Sequence, residues 1–229
     1  MPTADEAKKQ NVVKMGEPLG NQYSALWQEV AQLYINWAEF VELYGTKPQR
    51  IELLNRAAPA FFRMIQDRLW ETTVMHLARL TDPSTSMGQK DKQNLTIQNL
   101  PGLIADAKTK SEVATLIAVA LKETEFCRDW RNRYIAHREL NLALDQPTTP
   151  LAEASRKQVT GALKAIADVM NAVQIRYLGG ETRFDLAARH HGAITLLYLM
   201  DDGLRAKDAR EQKILKGEFT EADFAPKDL

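Results

Sequence analysis

Apolar side chains recur at spacings of three and four residues over most of this chain, and this periodicity restricts its fold more than any other feature. In residues 21–44, for example, Leu26, Val30, Leu33 and Trp37 fall on one face of a helix, as an amphipathic helix requires. No segment alternates apolar and polar residues over the length of a strand. We therefore predict an all-α protein built as a helical bundle with a helical C-terminal extension.

Breaks in the periodicity divide the chain into three predicted parts. Residues 1–20 are polar and lack a helical period, which predicts a flexible N-terminal arm. Residues 21–178 carry the periodic segments of the bundle, and Gly179-Gly180 ends the last of them. Residues 181–229 are predicted to form a C-terminal helical extension with a charged tail.

Capping patterns and prolines predict where the helices begin. Thr46-Lys47-Pro48-Gln49 and Thr109-Lys110-Ser111-Glu112 both follow the spacing of a capping box. Pro59 is expected to kink or divide the long helical run that follows the first of these. Thr149-Pro150 is expected to start the last helix of the bundle, because proline is tolerated in a first turn.

The charge balance excludes one class of nucleic-acid-binding protein. The chain has 30 Lys and Arg residues and 30 Asp and Glu residues, so its formal net charge is zero. Proteins that coat duplex nucleic acid through many phosphate contacts usually have a basic excess. Any contact of this chain with nucleic acid is therefore expected to come from a local basic patch.

Cysteine and histidine are too few to suggest a disulfide or a metal centre. Cys127 is the single cysteine, and the four histidines show no ligand spacing such as H-E-x-x-H. We therefore expect no metal and no other cofactor. The first residues lack the apolar stretch of a signal peptide, and no later apolar run could span a bilayer. We expect a cytoplasmic protein without membrane contact.

The densest basic cluster is WRNRYIAHRE, residues Trp130–Glu139, which we term the motif segment. Histidine has the unperturbed pKa nearest neutrality, so it can both take and give a proton. Arginine is always charged and presents a planar fork to phosphate. Together they suit metal-free RNA cleavage, in which the ribose 2′-OH loses a proton while negative charge builds on the phosphate.

Spacing alone leaves two interpretations of the motif segment open. Arginine followed by histidine after a short spacer is a loose pattern, and Arg183 with His190 also matches it. Requiring Asn, Asp or His directly after the arginine leaves only Arg131, Asn132 and His137. These residues form either a catalytic site, in which Asn132 holds the imidazole or the phosphate, or a solvated helix face with salt bridges.

Helical geometry sets a condition on any catalytic site. On one regular α-helix, residues six positions apart point roughly 120° away from each other, so Arg131 and His137 cannot share a site there. Either the helix unwinds near His137, or a twofold dimer brings Arg131 of one chain to His137 of the other. We favour the dimer.

The motif segment resembles the signature of the HEPN superfamily, which has an arginine, a polar residue, a short spacer and a histidine. The wider sequence over Leu43–Pro83 and Glu125–Leu140 looks like the HEPN branch named after the abortive-infection U system of bacterial phage defence. The resemblance covers roughly Ala25–Tyr177. It implies a HEPN-like helical bundle and a homodimer. The composite site then lies between the two helices that carry the motif segment, which we term the motif helices.

The resemblance also implies a function, a metal-independent endoribonuclease that acts as a toxin or phage-defence effector. In this sequence Arg131 and His137 take the catalytic positions and Asn132 the polar position. Arg133 and Arg138 are candidate RNA-phosphate contacts because of their charge alone. An RNA substrate and an antitoxin protein are the candidate partners. The alternative is a non-catalytic HEPN module that binds RNA, a nucleotide or a partner protein.

Overall fold

The computed structural model describes residues 3–85, 92–186 and 191–224, and most of these residues are helical. The described residues contain ten α-helices, no β-strand, and one isolated antiparallel bridge between Thr85 and Gln93. The prediction of an all-α bundle is confirmed. The helices are α1 (Ala4–Met15), α2 (Glu17–Tyr44), α3 (Pro48–Ala57), α4 (Pro59–Leu80), α5 (Leu100–Leu103), α6 (Ala107–Glu123), α7 (Glu125–Trp130), α8 (Leu140–Ala143), α9 (Arg156–Leu178) and α10 (Ala193–Leu215).

The N-terminal residues differ from the sequence prediction. Residues 1–20, predicted to be a flexible arm, contain helix α1, whose first turn is closed by a capping box between Thr3 and Glu6. Met15 and Leu19 are buried, and α2 begins at residue 17 rather than 21. The prediction failed because α1 is polar on most of its surface, so apolar periodicity gives little signal there.

Two local stop signals are confirmed by the structure. α3 and α4 meet around Pro59, which is the first residue of α4 and divides the long helical run. Gly179 ends α9 in the left-handed conformation, with φ 73° and ψ 19°, which favours glycine because it has no Cβ. Both signals depend on backbone sterics, which act whatever the tertiary surroundings are.

The predicted helix starts were wrong in detail. Lys47 rather than Thr46 is the N-cap of α3, and the Thr46 hydroxyl instead accepts a hydrogen bond from Arg50 at 2.7 Å. α6 starts earlier than predicted, because Asp106 accepts a hydrogen bond from the backbone N–H of Thr109 at 2.9 Å. Aspartate is as good an N-cap as serine or threonine, so several starts were compatible with the sequence.

The described residues form two compact units. The first comprises residues 1–37 and 69–188 and contains the motif segment. Its core lies between α6 and α9, where Val113, Ile166 and Val173 are buried. Burial of these apolar side chains is the main stabilising contribution to this unit.

The second unit comprises residues 38–68 and 189–229. Within it α3 packs against α10, and Arg56 forms an ion pair with Asp208 at 2.8 Å. The division proposed from the sequence, with residues 181–229 as a separate extension, stays a prediction.

Candidate active site at the motif helix

The motif helix changes its geometry at the residues that the sequence singles out. α7 ends at Trp130, and Arg131–Ile135 form a π-helical turn in which the N–H of Ala136 donates to the carbonyl of Arg131 at 2.8 Å. Single π-helical turns within α-helices are frequently found at functional sites. The helix therefore leaves regular α geometry before His137, which is the first of the two alternatives that the sequence left open.

The chain turns back immediately after His137. The N–H of Glu139 donates to the carbonyl of Arg133 at 3.0 Å, and the short helix α8 starts at Leu140. The side chains of His137 and Arg138 are exposed at this turn. Since His137 lies outside the helix, the 120° separation expected on a regular α-helix does not apply to it.

Arg131 is fixed by two neighbours. Its Nη1 donates to both carboxylate oxygens of Asp82, and its Nε donates to Oδ1 of Asn132 at 3.0 Å. The side chains of Arg131 and Asp82 are 24% and 20% exposed, so water screens their ion pair only in part. Nη2 is the nitrogen of this guanidinium that makes no hydrogen bond to a described residue.

His137 and Asn132 differ from Arg131 in their surroundings. Both side chains are exposed. The imidazole of His137 makes no hydrogen bond or ion pair with any described residue, while Asn132 faces the guanidinium of Arg131. The structure therefore brings Asn132 to Arg131 but forms no direct bond between Arg131 and His137 within one chain.

Arg133 is held on several sides by protein acceptors. Its Nε donates to Glu139, and its Nη1 lies 3.3 Å from Oδ1 of Asp129 and 3.2 Å from the carbonyl of Pro150. Its Nη2 donates to the carbonyl of Thr149. Phosphate contact by Arg133 stays a prediction; only one of its five N–H groups, on Nη2, has no bond to a described residue.

Residues 148–152 form a strap across the motif helix. The Thr148 hydroxyl donates to Oε1 of Glu139 at 2.8 Å, and the N–H of Ala152 donates to Oδ2 of Asp129 at 2.8 Å. The indole N–H of Trp130 donates to the carbonyl of Ala152, also at 2.8 Å. The prediction that α9 starts at Thr149-Pro150 was therefore wrong, because these residues belong to the strap. α9 begins after the N-cap Ser155.

A row of aromatic rings supports the exposed end of the motif segment. The ring of Trp130 lies edge-on to Trp70 at 6.2 Å and to Tyr134 at 5.4 Å between centroids. The guanidinium carbon of Arg138 lies 4.3 Å from the centroid of Tyr134, which is the geometry of a cation–π contact. Arg138 is thus exposed yet oriented, and its contact with phosphate stays a prediction.

The Arg133–Glu139 pair makes the strap sensitive to acid. Hydrogen bonding to Arg133, with a further contribution from Thr148, holds the pKa of Glu139 below its ordinary value. A carboxylate with a lowered pKa stabilises the fold above its unfolded-state pKa of about 4.3. This contribution is lost as the pH falls through the folded-state pKa.

We therefore predict that Glu139→Gln lowers the Tm at pH 7 and that the difference from wild type shrinks below about pH 4. Glutamine keeps the shape of the side chain and removes its charge, so acidified wild type should resemble the variant. Thermal melts from pH 3 to pH 8 measure this, with Glu153→Gln at an exposed position as the matched control. A difference that does not change with pH would contradict the prediction.

Asp82 contacts the candidate site but was not predicted from the sequence. It lies just after α4 and is separated from Arg131 by 49 positions. Its signal in the sequence was a single carboxylate between Thr81 and Pro83, which resembles an ordinary turn. No local pattern connects it to Arg131.

Other predicted features have plainer surroundings. Cys127 is buried, and burial raises the pKa of its thiol to about 12, which makes it unreactive. His190 lies outside the described residues. The described residues include no group of three His, Cys, Asp or Glu side chains placed to hold a metal ion. None of the helices in the described ranges has the length and apolar character needed to cross a bilayer.

The sequence model of the HEPN_AbiU2 family, described as AbiU2, matches residues 16–196. The chain belongs to the AbiU2 family of HEPN domains. This confirms the resemblance to the HEPN superfamily and its abortive-infection U branch, and the match extends beyond both ends of the stretch from which the resemblance was drawn. No curated protein and no solved structure shows significant similarity to the chain.

Proposed function

We propose that this HEPN protein is a metal-independent endoribonuclease that acts as a toxin or phage-defence effector. Its active site is composite and lies at a homodimer interface, where Arg131 of one chain meets His137 of the other. The observation that carries the proposal is the state of these two side chains. Arg131 is held through Nη1 and Nε while Nη2 has no bond to a described residue, and His137 is exposed and makes no bond to a described residue.

The reaction follows from the chemistry of the two groups. Neutral His137 takes the proton of a ribose 2′-OH, whose oxygen attacks the adjacent phosphorus. The bond from phosphorus to the 5′ oxygen breaks, and this oxygen takes the proton held by the protonated imidazole of His137 and leaves as a hydroxyl. The products are a 2′,3′-cyclic phosphate and a 5′-OH end. Arg131 stabilises the charge that builds on the phosphate oxygens.

A dimer supplies what one chain lacks. A twofold interface places equivalent surfaces opposite each other, so two motif segments that meet there form two sites. Each site combines the guanidinium of one copy with the imidazole of the other. In this arrangement Arg138 is a phosphate contact at the rim of the site, and Asn132 orients Arg131. An antitoxin protein that covers the same surface would inhibit both sites at once.

Cleavage of RNA in EDTA tests the proposal most directly. We expect the purified protein to cut a mixed-sequence RNA in EDTA and to leave the matching oligonucleotide uncut when its riboses are replaced by deoxyriboses. The reason is that the attacking 2′-OH is absent from deoxyribose. Mass spectrometry of the fragments should show 2′,3′-cyclic phosphate ends. Cleavage of the deoxyribose control, or cleavage that needs added metal, would contradict the mechanism.

A further inference from the structure

We propose that Asp82 is the positioning residue of the active site and acts by holding Arg131 for the transition state. This inference rests on the proposed function, since it assigns a role within the same site. Asp82 lies outside the motif segment, directly after α4, and its carboxylate is the acceptor for Nη1 of Arg131. It does not touch the substrate in this assignment.

The protein bonds to two of the three guanidinium nitrogens of Arg131 and leaves the third for a ligand. Asp82 occupies Nη1 with both of its oxygens, and Asn132 occupies Nε at 3.0 Å. Two of the three guanidinium nitrogens are thereby bonded to the protein, and Nη2 remains for a phosphate oxygen. A guanidinium that is already oriented loses less conformational freedom when the charge on the phosphate develops.

The negative charge of Asp82 distinguishes a role in positioning Arg131 from a role in attracting RNA. The carboxylate of Asp82 is an anion beside the expected phosphate, so it repels the substrate in the ground state. Removing its charge while keeping its shape should therefore leave RNA binding equal or tighter. The same change should slow cleavage, because Arg131 then adopts other rotamers. Loss of a merely structural contact would not move affinity and turnover in opposite directions.

The surroundings of Asp82 favour a role in orienting Arg131 over a role in stabilising the fold. Its side chain is 20% exposed, and Arg131 is its one ion-pair partner among the described residues. The fold near α4 is held instead by the buried Thr81, which donates to the carbonyl of Leu77 at 2.9 Å and accepts from Thr124 at 3.1 Å. We therefore expect Asp82 variants to fold.

The test compares Asp82→Asn with Asp185→Asn. Asp185 pairs with Arg183 at 2.8 Å outside the motif segment, so its substitution removes a similar arginine partner away from the site. We expect kcat for RNA cleavage to fall about tenfold or more in Asp82→Asn, with KM unchanged or lower. Asp185→Asn should match wild type in both constants.

A double-substitution cycle shows whether Asp82 acts through Arg131. In an Arg131→Ala background, Asp82→Asn should cause no further loss of cleavage, because the group it positions is already absent. Independent, multiplying effects of the two substitutions would overturn the inference. Wild-type cleavage rates in Asp82→Asn would overturn it as well. Should Asp82→Asn fail to fold, Asp82→Glu, which keeps the charge but displaces the carboxylate, should lower kcat with affinity retained.

A binding assay keeps this inference separate from the proposed function. The probe is a fluorescent 2′-O-methyl oligonucleotide, which has no free 2′-OH and cannot be cut. We expect Asp82→Asn to bind it equally or up to a fewfold tighter, because the anion beside the phosphate is removed. If wild type cuts no RNA, the proposed function fails whatever the Asp82 variant does. If wild type cuts RNA and Asp82→Asn binds the probe more weakly, the inference about Asp82 alone is overturned.

Discussion

Replacing His137 by alanine is expected to lower the rate of RNA cleavage by about 10²–10⁴-fold, the usual contribution of a general acid–base group. The side chain is exposed and makes no bond to a described residue of its own chain, so its loss should leave the fold intact. Cleavage of a mixed-sequence RNA in EDTA, followed side by side with wild type, gives the rate. Sedimentation should show the same dimer for both proteins.

The matched control for this prediction is a second exposed histidine. His137→Asn and His191→Asn both remove a titratable imidazole and keep a polar side chain. Asparagine also tolerates the positive φ of 56° at His191. Only the His137 variant should lose cleavage.

The outcomes of the His137 experiment separate the two candidate functions. A His137→Ala protein that cuts RNA as fast as wild type would remove His137 from the active site. A wild-type protein that binds RNA without cutting it, with binding unchanged in His137→Ala, would support a non-catalytic HEPN module instead. In that case the arginines of the motif segment contact phosphate without turnover.

Mixing two inactive variants is expected to restore activity if the site is composite. In a heterodimer of Arg131→Ala with His137→Ala, one of the two sites combines the intact Arg131 of one chain with the intact His137 of the other. We therefore expect about half the activity of the wild-type dimer, although each homodimer alone should be nearly inactive. Chains with two different affinity tags allow the heterodimer to be purified before the assay.

The control places the same two substitutions on a single chain. A heterodimer of wild type with the double variant Arg131→Ala/His137→Ala has no intact composite site, so it should be inactive. If each chain instead builds its own site, the pattern reverses: this heterodimer keeps about half the activity and the first has none. A protein that sediments as a monomer while cutting RNA would also contradict the dimeric site.

The fold class could be predicted from the sequence because it depends on local and periodic signals. Each of these signals involves only residues that are close in sequence. They are the three-and-four spacing in α2, the proline at the start of α4 and the left-handed glycine after α9. Helix starts were harder. Several hydroxyl and carboxylate side chains could cap each one, and the surrounding structure selected Asp106 for α6 and Ser155 for α9.

The candidate site was likewise predicted only in part from the sequence. Arg131, Asn132 and His137 could be proposed from spacing and family resemblance, because they lie within seven consecutive residues. An unwound helix near His137 was one of two alternatives that the sequence left open, and only the structure showed the π-turn at Arg131–Ile135. The strap bound to Asp129, Arg133 and Glu139 reinforces the motif through contacts between distant residues.

By itself, therefore, the sequence determined the helical class of this HEPN protein and the residues of its motif. Only the tertiary structure decided how they are oriented. Asp82 reaches Arg131 across 49 positions of sequence, because the end of α4 packs beside the motif helix. An ion pair of that kind depends on which chain segments become neighbours on folding, and no periodicity or local pattern records it.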